Sequence, residues 1–223
     1  KILFSSYKKK LNQSSKILVE FNAFQNTHLA ISYLSNVLSD VHKSEINAYF
    51  NYSLLSSPLQ NTFLNNLKWN IGNFLGAKNF GVYKSFGTTK IFKPKITKEV
   101  EDQSLKISKK IFSQIKNNND VLNIKIKKIL VGDLLYDTYL KRFIEPTVDI
   151  KSQKFYELLK DFVKLFLYWE NYLKKNKIKA IIGVHTPYSY GLILRIGIHR
   201  KIPVYATSTK FLYFLNKNML FTD

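Results

Sequence analysis

The stretch VGDLLYDTYL places Asp133 and Asp137 four residues apart, a spacing that sets two carboxylates on one helical face. Such a pair could divide acid and base roles, hold substrate hydroxyls, or contribute to a metal site. No His and no third carboxylate stands nearby, so a metal site is not expected. Asp133 also follows Gly132 and precedes an amphipathic run, the usual setting of a helix N-cap. A cap with a neighbouring surface acid therefore competes with a pair of carboxylates facing a cleft.

Two histidines carry the other candidate chemistry. His185 ends the apolar run IKAIIGVH and is followed by Pro187, Tyr188, Tyr190 and Gly191, with Arg195 one turn into the next element. An imidazole there could act as a base or a hydrogen-bond donor at neutral pH. Tyrosines offer stacking surfaces and hydroxyls, and Arg195 could meet a phosphate or carboxylate. The competing reading has His185 capping a helix while the tyrosines pack the sheet edge. His28 lies in NAFQNTHLA, just after the run KILVEF, with Asn22, Gln25 and Asn26 as uncharged neighbours. It reads either as a base at the start of a helix or as an exposed His beside a simple Asn/Thr cap.

The elements that must position these residues alternate between strand and helix. KILVEF, EINAYFNYSLL, FGVYKSFG, IKAIIGVH and IPVYAT read as strands, being short, apolar and rich in β-branched or aromatic residues. IKAIIGVH is apolar on both faces, as a central parallel strand requires. Helices are expected over HLAISYLSNVLSDV, from Pro58 to Gly76, after Thr97, from about Ser152 to Lys175, and through YGLILRIGIHRK. The pattern predicts one α/β domain, a Rossmann-like, doubly wound parallel sheet. In such a sheet, ligands bind beyond the carboxyl ends of the strands, where Asn22, His28 and His185 fall.

Composition narrows the classes. Hydrophobic content of 45% with 15% aromatics suffices for a substantial core, which excludes wholesale disorder. No Cys occurs, so disulfides, thiolate zinc sites and a Cys nucleophile are excluded. No run approaches a membrane span, and the chain reads as cytoplasmic, with a basic N-terminal segment at residues 1–15 before a domain at 16–223. Lys and Arg total 35 against 15 Asp and Glu, for a net charge of +20, but Arg occurs only at 142, 195 and 200. Specific base readout leans on Arg, so nucleic acid is disfavoured and a diffuse attraction to an anionic membrane surface is favoured over it. The chain has no G-x-G-x-x-G after a strand, no Walker loop, no G-x-S-x-G and no H-E-x-x-H, which removes support for dinucleotide, P-loop, elbow-Ser and zinc-protease chemistry.

The segment from Gly132 to Leu140, the Pro-Thr-x-Asp-Ile at 146–150 and the series His185, Tyr188, Gly191, Arg195 resemble bacterial surface-carbohydrate biosynthesis proteins. These are capsule or lipopolysaccharide proteins of the GT-B glycosyltransferase type. The resemblance spans roughly residues 129–205. It implies the N-terminal, acceptor-side half of a two-domain transferase, with His28 or His185 as general base. Asn22, Asp133, Asp137, Tyr188, Tyr190 and Arg195 would bind the substrate. It further implies a glycan or lipid-linked glycan acceptor and work at the inner face of the cytoplasmic membrane. No tightly bound cofactor is implied; the nucleotide-sugar donor would sit on a C-terminal domain beyond this chain, leaving the chain alone inactive. Two other readings compete: a non-catalytic basic module binding nucleic acid or another polyanion, and a self-contained epimerase-like or hydrolytic enzyme. Lone imidazoles and unpaired acids count against the last.

Overall fold

A computed structural model describes residues 12–55, 63–208 and 211–217. The first strand, β1 (Asn12–Phe21), begins inside the segment expected to precede the domain; residues 1–11 lie outside the described residues. It is followed by α1 (Gln25–His42), β2 (Ser44–Phe50), α2 (Phe63–Leu75), α3 (Asn79–Ser85) and β3 (Thr88–Phe92). Then come α4 (Lys98–Gln114), α5 (Asn118–Leu122), the short pair β4 (Lys125–Ile126) and β5 (Ile129–Leu130), α6 (Gly132–Phe143) and α7 (Gln153–Lys175). The chain continues through β6 (Lys177–Gly183), a 3₁₀ turn at Tyr188–Gly191, α8 (Leu192–His199), β7 (Val204–Thr207) and β8 (Leu212–Leu215).

Six strands form one mixed sheet in the order β3-β2-β1-β6-β7-β8. All neighbours are parallel except β7 and β8. Each face is covered by its own apolar layer. Ile17, Val19, Ala48 and Ile182 pack with Ile31 of α1 and Tyr83 of α3 on one side. Leu18, Tyr49, Ile181 and Val204 pack with α6, α7 and α8 on the other, around the buried Trp169. The strict in–out alternation along β1 (Ile17 and Val19 one way, Leu18 the other) follows from the two-residue period of a strand. Helices on both faces, linked through one sheet, make a single α/β domain.

Local signals placed several elements correctly. Thr97 caps α4 by accepting from the Val100 amide, and Ser152 caps α7 through the Phe155 amide. Asn117 and Asp120 form a reciprocal capping box at α5, so the Asn run that ends α4 starts the next helix. The expected strand FGVYKSFG is instead α3. Phe80, Tyr83 and Phe86 recur at a helical spacing, and all three pack into the layer that Phe21 and Trp69 share. The third strand lies after it, at Thr88–Phe92. Pro58, read as the start of α2, lies outside the described residues.

Candidate active site at the sheet switch point

The order of strands reverses between β1 and β6: the chain builds outward through β2 and β3 from one, and through β7 from the other. A crevice forms at the carboxyl ends where such a reversal occurs. Three loops meet there. Asn22 to Phe24 leave β1, residues 51–55 leave β2, and residues 184–191 leave β6.

His185 stands at the centre. Its Nδ1 lies 2.8 Å from Oε1 of Glu20, the penultimate residue of β1. Oε2 of the same carboxylate accepts from the Val184 amide at 2.7 Å and the His185 amide at 3.2 Å. The Glu20 side chain is almost fully buried, whereas that of His185 is 27% exposed. Neutral imidazole bound to a carboxylate through Nδ1 carries its proton there. Nε2 is then a lone-pair acceptor, and it has no hydrogen-bond partner among the described residues. The Glu20 hydrogen bond raises the pKa of His185 above its ordinary value; partial burial opposes the rise. Aromatic rings flank the imidazole, Phe24 with a centroid 5.2 Å away and Tyr190 at 4.9 Å.

The surrounding loops are locked. Asn22 Oδ1 accepts from the Phe24 amide at 2.8 Å and Thr27 Oγ1 at 3.4 Å. The Asn22 amide donates to the Tyr83 hydroxyl, which donates to the Glu20 carbonyl at 2.5 Å. Burial pushes the Tyr83 hydroxyl far up, so it stays protonated as a fixed strut. From β2, Asn51 Nδ2 donates to the Tyr190 carbonyl at 2.9 Å. Ser189 Oγ receives the Leu54 amide at 3.2 Å and donates to the Tyr52 carbonyl. The buried Oδ1 of Asn51 has no partner among the described residues.

The expected site residues separate into two groups. His185 and Tyr190 come together, with Tyr188 on the same loop at a left-handed φ of 58°. Tyr188 lines an open groove of about 450 Å³ with Asp137, Leu140, Lys141 and Pro187. Asp137 is exposed there, and burial of part of its carboxyl, then the nearby Asp133, raise its pKa against the pull of Arg195. The other residues are engaged within the protein. His28 is 7% exposed and donates through Nε2 to the Asn22 carbonyl at 3.1 Å, which fixes the β1 loop. Asn22 shapes the same turn. Arg195, 7% exposed, grips both oxygens of Asp133 and the Leu130 carbonyl. That pairing ties α8 to α6. Asp133 is not the N-cap of α6 either; Val131 holds that position.

Glu20 escaped the sequence reading. Its signal was present: a lone carboxylate inside the apolar strand KILVEF, at a position whose alternation turns it inward beside Leu18. Among the described residues no cluster of three or more potential metal ligands occurs, and no helix is long and apolar enough to cross a membrane. Lysines occur on helices of both layers, among them Lys84 on α3 and Lys109 and Lys160 on α4 and α7.

No protein family description matches the chain, and no curated protein matches it. Among solved structures, a CDPS (cyclodipeptide synthase) from Fluoribacter dumoffii is similar over 93% of this chain and 92% of its own, at 13% identity and a TM-score of 0.47. The expectation of a glycosyltransferase acceptor domain is corrected here. No family description and no curated protein supports it, and Asp133 and Arg195, two of the residues that carried the resemblance, are bound to each other.

Proposed function

We propose that this chain is a Rossmann-like, doubly wound α/β enzyme whose chemistry is general-base catalysis by His185. Strand order β3-β2-β1-β6-β7, with its reversal at the Glu20–His185 crevice, supports the fold reading. In the reaction, Nε2 of His185 takes a proton from a substrate hydroxyl or from water, and Glu20 stabilises the imidazolium that results. The buried carboxylate keeps the ring in one tautomer and one orientation, so no reorganisation accompanies proton transfer. Phe24 and Tyr190 form the flanking surfaces on which a flat or apolar part of the substrate rests. Asp137 and Tyr188, along the adjoining groove, meet its polar groups.

The observation that carries this reading is the Nδ1–Glu20 bond on a ring that is 27% exposed and whose Nε2 has no partner among the described residues. It answers the objection that the imidazoles are lone, which had weighed against a self-contained enzyme. The test is a turnover screen of aryl esters, aryl phosphates and nucleosides with wild type, His185→Gln and Glu20→Gln. Turnover should fall on the order of 10²–10⁴-fold in His185→Gln and should rise with pH through the His185 transition. Turnover that survives His185→Gln, or ligands that bind without perturbing the His185, Phe24 and Tyr190 resonances, would overturn the proposal.

A further inference from the structure

The helix α2 has two faces of opposite use. Trp69 packs edge-on against Phe21, Phe50 and Phe80, and Gly72 lets Phe80 approach. Opposite them stand Leu64, Leu67, Ile71, Phe74 and Leu75, all exposed, with Phe74 at 85% and Leu75 at 69%. At the helical period these five fall within an arc of about 100°. A stripe this apolar on an outward face calls for an occupant.

Charge identifies it. Between Glu45 and Glu99 the sequence contains no Asp or Glu. Exposed Lys68 borders the stripe, and exposed Lys78 and Lys84 follow at the end of α2 and on α3. Lys84 Nζ reaches back to the Asn73 carbonyl, which holds its charge against the last turn of α2. A second copy of this face would oppose cation to cation with no acid between. A nucleic acid would meet Leu and Phe, and the interval offers no Arg for phosphate forks or base edges. An anionic bilayer satisfies both features at once: apolar side chains enter the headgroup boundary while lysines meet the lipid phosphates.

We propose that α2 is a membrane-surface docking helix that seats the protein on an anionic lipid leaflet through Leu67, Ile71, Phe74 and Leu75. The inference is independent of the proton-transfer reading. The experiment is co-sedimentation of the full chain with vesicles of phosphatidylglycerol and phosphatidylcholine in equal parts, and with phosphatidylcholine alone. Wild type should bind the mixed vesicles and release as salt rises from about 0.1 M to about 1 M, where screening shortens to about 3 Å. Ile71→Asp/Phe74→Asp should weaken binding at least about tenfold with an unchanged thermal melt, since both side chains are exposed. Lys68→Glu/Lys78→Glu should weaken it without touching the apolar stripe. Absence of binding to the mixed vesicles, or equal binding by either double variant, would overturn the proposal. So would a sedimenting dimer that Phe74→Asp dissociates, or displacement of bound vesicles by a homopolymeric RNA.

Discussion

Arg195 Nη1 lies 2.5 Å from Asp133 Oδ1 while its Nη2 engages Oδ2, a two-pronged pair joining the eighth helix to the sixth behind the His185 loop. Both side chains are largely shielded from water, so removing one partner strands the other's charge. Asp133→Asn should cost about 3 kcal/mol in urea unfolding. Arg195→Lys keeps the charge but loses the planar fork and should cost less than Asp133→Asn.

The Glu20–His185 contact makes stability pH-dependent. The folded pKa of His185 is raised above its ordinary 6.5, so the protonated ring is the form that folding favours. Its contribution is present in full below that ordinary value and is lost as pH rises through the raised one. The stability gap between wild type and Glu20→Gln should therefore be wider at about pH 5.5 than at about pH 8.5. Paired urea titrations at the two pH values measure it. The residual gap at high pH reports the two backbone amides that Glu20 also accepts from.

Gly191 is where the site loop crosses the Thr186 carbonyl and the Leu134 methyls; a Cβ there would overlap the first and lie 3.2 Å from the second. Gly191→Ala should cost about 1–3 kcal/mol by overpacking. It should also shift the imidazole resonances of His185, because the displaced segment carries Tyr190 against that ring. Unmoved resonances would show that the loop relaxes elsewhere.

Trp169 is fully buried among Tyr49, Phe92, Tyr168 and Tyr172, yet its Nε1 has no acceptor among the described residues. Trp169→Ala should cost about 3–5 kcal/mol as a cavity. Trp169→Phe removes an unsatisfied donor along with some volume and should cost under about 2 kcal/mol. Thermal melts of the two variants give the contrast directly.

What could be read from the sequence follows from how local each determinant is. The sixth strand and the seventh helix were legible because a doubly buried strand and a long amphipathic stripe announce themselves through period alone. The fourth and fifth strands were not. They turn through Lys127 and Lys128, both at positive φ, where a hairpin signal would be Asn or Gly. The eighth strand hid in FLYFL because it runs antiparallel to its partner at the edge of an otherwise parallel sheet. At the site, His185 and Tyr190 were legible from their place after the strongest strand. Glu20 was not, since its meaning depends on a partner 165 residues away. The hydrogen bond of His28 was hidden for the same reason: its partner is a backbone carbonyl, which no residue type reveals.

Glu20 belongs to the half of the sheet that grows through the second and third strands, and His185 to the half that grows through the seventh. Their hydrogen bond is thus a bolt across the seam of the fold as well as a device for holding a proton. Any breathing that parts the two central strands at their carboxyl ends unfastens the imidazole and frees its tautomer in one motion. The ring therefore doubles as a built-in gauge. Its Nδ1 proton reports whether the two halves are closed, so local opening of the sheet and loss of the fixed imidazole are the same event observed from two sides.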